Sequence, residues 1–241
     1  MELGASIHSK RTNCKWPFAA VAVCCAVAAC SPPEYSSPAW SGRVIERDSG
    51  APIEGAIVVV RWQLEGFDAK FAGWLLMDEA VSDKDGIFRF KSWGPMRTPD
   101  SRGSRTRMSP NVPEISVFKS GYEVEASGGG SDSGYLDDRF YTGPSERRVF
   151  ADDHVIAMDR YRGTLKEYRE YLERTFPIQG GPCTFEKTPR LFAAAIIVDR
   201  SLNDGMPSDS SILSMNMLDY YYSKGHSCGK SLSDAVKEYL P

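Results

Sequence analysis

Few side chains in this chain stand where they could do chemistry, and most of those suit structure better than reaction. Asp83 and Asp85 alternate just before Gly86, a spacing at which carboxylates can share a hard cation. No glutamate follows where such a loop needs its bidentate ligand, so Asp83-Lys84-Asp85-Gly86 reads as a tight turn. His154 stands beside Asp152 and Asp153, an acid–base or metal pattern on paper. Neighbours along a strand point to opposite faces, which leaves only Asp152 on its side, and no further ligand has metal spacing. His226 is equally isolated. Arg97, Arg102, Arg105 and Arg107 face only Asp100 as counter-charge within Trp93–Pro113. Such a loop can attract anionic lipid or polysaccharide phosphate, although its proline, serine and glycine content reads first as a solvated loop. Tyr220, Tyr221 and Tyr222 point about 100° apart on a helix and cannot form one stacking platform. No Gly-x-Ser-x-Gly elbow occurs. The expectation is a protein with no catalytic residues, no metal and no cofactor.

The cysteines carry more. There are six among 241 residues, and Cys30 closes an apolar run from Trp16 to Ala29 that follows Lys10, Arg11 and Lys15. A basic stretch, a short apolar stretch and small residues before a cut define a secretory signal peptide. The fourteen apolar residues reach about 21 Å as a helix, short of the ~30 Å hydrocarbon core. Val27-Ala28-Ala29-Cys30 resembles the lipobox of bacterial lipoproteins, an aliphatic residue and two small ones before cysteine. The resemblance implies cleavage after Ala29, acylation of Cys30 and attachment to a lipid bilayer. Ser31 stands where enterobacterial lipoproteins retained at the inner membrane carry aspartate. The resemblance therefore implies a cell-envelope protein at the outer membrane, facing the periplasm.

Removal of residues 1–29 takes three basic residues and one acid and leaves a formal charge of −5, against −3 for the whole chain. Neither value gives reason to expect nucleic-acid binding. Cys14, Cys24 and Cys25 leave with the signal, and Cys30 is taken by lipid. Cys183 and Cys228 remain, a natural disulfide pair in an oxidising compartment, with two separate buried thiols as the alternative. Ser31–Pro38, with three prolines and three serines, reads as an extended tether over residues 30–40.

The elements that must position these groups fall into two sets. Hydrophobic residues at 41% and charged residues at 25% fit an ordinary globular body and exclude collagen, wholesale disorder and a polytopic membrane protein. Over residues 41–160, short β-rich runs alternate with turns: Ser41–Arg47, Ala56–Trp62, Trp74–Ser82, Ile87–Lys91, Ile115–Lys119 and Val149–Met158. This spacing predicts an antiparallel β-sandwich. From Thr164 the period becomes helical. Thr164-Leu165-Lys166-Glu167 is a capping box, with Leu165, Tyr168, Tyr171 or Leu172, and Thr175 on one face. Thr188-Pro189 opens a second, buried helix with threonine as N-cap. A third begins near Ser208 or Asp209 and runs through Ile212, Met215, Leu218 and Tyr222, and Ser231 caps a short last one. The fold class expected is α+β, a sandwich followed by a helical region over residues 161–241.

Within the sandwich, Gly42-Arg43-Val44, then Gly50-Ala51-Pro52-Ile53-Glu54-Gly55-Ala56 and Val58, resembles the opening of carboxypeptidase regulatory-like domains. Ser82–Phe88 is similar to that family's turn, and Val117-Phe118-Lys119-Ser120-Gly121-Tyr122 to its later strand end. The resemblance implies a transthyretin-like sandwich without catalytic function. It departs where about fifteen residues, Gln63 to Met77, lengthen one connection and where Trp93–Pro113 lengthens another. The functional expectation is a membrane-anchored envelope lipoprotein that binds or scaffolds another envelope protein or a glycan. The alternative is an envelope hydrolase or peptidoglycan-acting enzyme with an unrecognised site.

Overall fold

The computed structural model describes residues 34–66, 70–98, 106–109, 113–127, 154–177, 183–203 and 228–240, together with the backbone of 141–142 and 146–147. Cys30, Asp152, Asp153, Tyr220–Tyr222, His226 and the helix expected from Ser208 lie outside the described residues.

Twelve strands are described: β1 (Glu34–Ser37), β2 (Trp40–Glu46), β3 (Ile57–Glu65), β4 (Phe71–Val81), β5 (Ile87–Phe90), β6 (Trp93–Arg97), β7 (Arg107–Met108), β8 (Glu114–Phe118), β9 (Glu125–Ser127), β10 (Tyr141–Thr142), β11 (Glu146–Arg147) and β12 (His154–Met158). β12, β2 and β5 form one sheet; β4, β3, β8 and β9 form another, which β7 joins against β3. β1 pairs with β6, and β10 with β11. The two larger sheets share one core. Trp40, Val44, Phe88, Phe90, Ile156 and Met158 come from the first, and Val58, Val60, Trp62, Ala80, Ile115 and Val117 from the second.

The fold is mixed α+β, and among the described strands every pair is antiparallel except one. β12 runs parallel to β2, with His154 opposite Gly42 and Met158 opposite Glu46. A parallel pair cannot be closed by a tight hairpin, and β12 follows β2 by more than a hundred residues of chain. Gly42 makes the pairing close: a Cβ there would lie 2.6 Å from the His154 carbonyl oxygen and 2.5 Å from the Phe88 ring. Gly86 ends its turn at φ +75°, and a Cβ there would lie 2.4 Å from the Val44 carbonyl oxygen. Both positions therefore require glycine on steric grounds.

The connections expected as loops are partly strand. β3 runs on to Glu65 and β4 begins at Phe71, so the Gln63–Met77 stretch lengthens a hairpin. Both ends of the Trp93–Pro113 stretch are structured: β6 and β7 lie within it, and Thr98, Thr106, Met108 and Ser109 are buried. The extended tether is likewise shorter than expected. Glu34–Ser37 is paired strand, and Ser37 and Trp40 are buried. The proline- and serine-rich composition hid this strand, because its hydrogen-bonding partner lies about sixty residues away in β6.

Helices cover the outer face of β3. They are α1 (Leu165–Thr175), α2 (Thr184–Lys187), α3 (Pro189–Asn203) and α4 (Leu232–Val236), the last followed by a 3-10 turn at Lys237–Tyr239. Val59 and Phe118 meet Tyr168, Leu172, Leu191 and Val198 in a second apolar cluster. No gap in packing falls at residue 160. The Tyr168 hydroxyl accepts from the Gly121 amide and donates to the Tyr122 carbonyl, and the Tyr171 hydroxyl accepts from the Val124 amide. Both arms of the Thr164–Glu167 capping box form. Leu165, expected on the inner face, is 72% exposed, because Tyr168, Arg169 and Leu172 take that face.

The start of α3 corrects a second expectation. The Thr188 hydroxyl donates back to the Thr184 carbonyl instead of capping. Glu79 of β4 caps in its place, its carboxylate accepting from the amides of Arg190 and Leu191 at 2.8 and 3.1 Å. A cap supplied by a distant strand leaves no local trace in sequence. Glu79→Ala is expected to lower stability by about 2 kcal/mol, since it strips two helix-end donors of their acceptor. Burial raises the Glu79 pKa, outweighing those two hydrogen bonds and Arg190. A raised carboxyl favours the folded state below its unfolded pKa, and that contribution falls away as pH rises through the folded value. Glu79→Gln removes the slope. Urea midpoints from acid to neutral pH, in the parent and both variants, check each expectation.

Candidate functional site

Two places gather polar and reactive groups. The first is the corner where α2 and α4 meet. Cys183 precedes α2 with φ +62°, a left-handed conformation that turns the chain into the helix. Its sulfur is bonded to that of Cys228, with the Cα atoms 5.3 Å apart. Glu186, on the first turn of α2, accepts from the Lys230 amide at 2.8 Å. A cavity of about 490 Å³ opens beside the disulfide, lined by Cys228, Gly229, Lys230, Ser231, Asp234 and Lys237.

The chemistry of this corner is limited by what its groups already do. The Ser231 hydroxyl accepts from the Asp234 amide and donates to the Asp234 carboxylate, closing the cap of α4. Lys237 and Asp234 approach to 4.0 Å, both well exposed, a pairing of little energetic weight. Cys183, Glu186 and Cys228 place one ligand atom each within 4.8 Å of the others. A thiolate is the metal ligand, however, and the two sulfurs are spent on each other. In the oxidised protein the corner acts as a cross-link. Glu186 is the part that sequence reasoning missed, because the amide it accepts from, Lys230, lies forty-four residues away.

The second place is the end of the molecule where β1, β3, β4, β6 and β7 converge. Glu34 lies opposite Arg97 across the β1–β6 pair, and their side chains meet at 2.8 Å. Glu65 lies opposite both Phe71 and Arg107. Its carboxylate accepts from the Ser109 hydroxyl at 2.6 Å and stands 3.7 Å from the Arg107 guanidinium. The Met108 amide donates to the Tyr35 hydroxyl, and the Thr98 hydroxyl donates to the Thr106 carbonyl. These bonds tie β1, β3, β6 and β7 together. Phe71, 53% exposed, packs edge-on to Trp74, and Trp93 packs edge-on to Trp62. Arg97 and Arg107 point outward, with 67% and 64% of their side chains exposed. Lys70, next to Phe71 in the chain, is exposed.

The other sequence candidates resolve individually. The Asp83 carboxylate accepts from the amides of Asp85 and Ile87 and from Arg89, bonds that lower its pKa, the Ile87 amide foremost. Both its oxygens thus serve the turn. His154 is half-buried on β12, and burial lowers its pKa. Against protein families, curated proteins and solved structures, the chain finds no match.

Proposed function

We propose that the protein is a lipid-anchored lipoprotein of the cell envelope, held to a bilayer through acylated Cys30 and acting as a non-catalytic binding or scaffolding module. The lipobox-like Val27-Ala28-Ala29-Cys30 behind a basic and then apolar stretch carries this reading. The Cys183–Cys228 disulfide supports it, since such bonds persist in oxidising compartments. The body is read as a transthyretin-like sandwich of the carboxypeptidase regulatory-like kind. In support, Gly50, Gly55, Gly86 and Gly121 of those motifs take positive φ, and Gly42 lies within β2 where a Cβ would meet the His154 carbonyl oxygen. Placement at the outer membrane, facing the periplasm, rests on Ser31 after the anchor. The partner is an envelope protein or glycan.

The test is Cys30→Ser in the native envelope. The parent should incorporate radiolabelled palmitate and sediment with membranes, because two or three acyl chains exceed the marginal binding of one. The variant should lose both. Palmitate recovered on the Cys30→Ser protein would overturn the reading.

A further inference from the structure

We propose that the end of the molecule presenting Lys70, Phe71, Arg97 and Arg107 is a bilayer-docking surface that rests on anionic lipid headgroups. The inference builds on the lipid anchor just proposed and adds an orientation to it. Cys30 is four residues from Glu34, the first residue of β1. A fully extended chain covers at most ~3.5 Å per residue, so Glu34 stands no more than about 14 Å from the acylated cysteine. β1 is not free to swing, since it is paired to β6, with Glu34 against Arg97. The part of the body nearest the membrane is therefore the end where Glu34 sits.

That end is built for such a neighbour. Lys70, Arg97 and Arg107 are exposed, whereas Glu65 is buried and Glu34 is half-exposed in its pair with Arg97. Among the described residues, these three cations outnumber the one half-exposed acid, Glu34, in a protein of net negative charge. Phe71 projects at the same end, seated on Trp74. An exposed phenylalanine flanked by arginine and lysine suits the interface, where the ring enters the headgroup layer and the cations stay at the phosphates. The opposite end is different in position and chemistry. β3 runs from Glu65 to Ile57, and eight residue steps along a strand carry the chain about 27 Å away. The Asp83–Gly86 turn lies at that far end, where the Ser82 carbonyl accepts from the Gly55 amide.

The experiment compares two positions in the full lipidated protein. Ala72→Cys and Lys84→Cys each add one thiol at an exposed site, while the native cysteines of the mature chain are held by lipid and disulfide. Each variant is labelled with an environment-sensitive fluorophore and reconstituted into phosphatidylethanolamine–phosphatidylglycerol vesicles carrying a headgroup nitroxide. Quenching at position 72 should exceed that at position 84 several-fold. It should fall when phosphatidylcholine replaces phosphatidylglycerol. Equal quenching at the two positions, stronger quenching at 84, or no response to the loss of anionic lipid would overturn the docking surface. Failure of the anchor reads differently: protein that carries no acyl mass at Cys30 and floats free of the vesicles sinks the underlying reading before any label is compared.

Discussion

Arg61→Ala is expected to lower the stability of the folded protein by about 4 kcal/mol, in the range for breaking a buried charged interaction. Arg61 lies on the face of β3 away from the shared core and is 1% exposed. Its guanidinium donates to the Ser116 hydroxyl of β8 at 2.8 Å and to the Pro177 carbonyl just after α1. It thereby ties two strands of the sheet to the end of the helix that covers them. Burial pulls its pKa down to about 10, against the opposing charge of Glu114. At neutral pH the group is still charged, so its hydrogen bonds must offset the desolvation. Alanine removes the bonds, leaves a cavity and strands a hydroxyl and a carbonyl in a dry place. Arg61→Met fills the space without the bonds and should lose about half as much. Urea unfolding with a fixed m-value measures both. A loss below about 1 kcal/mol for the alanine variant would show that the clamp carries no weight, because surface substitutions fall in that range.

Arg61 also shows what the sequence could and could not convey. Val58-Val59-Val60-Arg61-Trp62 reads at once as a strand. Alternation puts Val59 and Arg61 on one face and Val58, Val60 and Trp62 on the other. Val59 on its face, like the valines of the other, needs cover to be buried. In the structure Tyr168, Leu172, Leu191 and Val198 supply that cover over Val59. Which helix residues would meet it was not legible. Tyr168 and Tyr171 dock through hydroxyls onto backbone amides more than forty residues away, contacts that no local window contains. The same limit hid the cap of α3, supplied by Glu79, and the pairing of β1. The capping box at Thr164, the Asp83–Gly86 turn and Phe88 with Phe90 on one face were legible because each depends on residues within a few positions. The end carrying Arg97 and Arg107 was legible only in part, as an arginine-rich stretch able to attract anionic lipid. Only the strand pairing sets Glu34 against Arg97 and Glu65 between Phe71 and Arg107.

Loss of the Cys183–Cys228 bond is expected to lower stability by a similar amount, about 4 kcal/mol in the chain-entropy account for the 45-residue separation it spans. The effect should not spread evenly. α4 rests on α3 through Ala235 and Val236, which meet Phe185, Phe192, Ala193 and Ala195 in a small apolar cluster of their own. A five-residue helix with so little buried surface depends on a covalent tie to stay in place. α3 has independent attachments, with Leu191 and Val198 packed against Val59 and Phe118 and its first turn held by Glu79. Reduction, or Cys183→Ala combined with Cys228→Ala, should therefore abolish amide-exchange protection in residues 228–240 and weaken it in α2. β3, β8 and α1 should keep theirs until the whole domain unfolds. Exchange measured by mass spectrometry with and without a thiol reductant, alongside the thermal midpoint, separates the outcomes. Uniform loss of protection would mean that the corner and the sheets unfold as one unit. An unchanged midpoint would mean that the unfolded chain was never constrained by the bond.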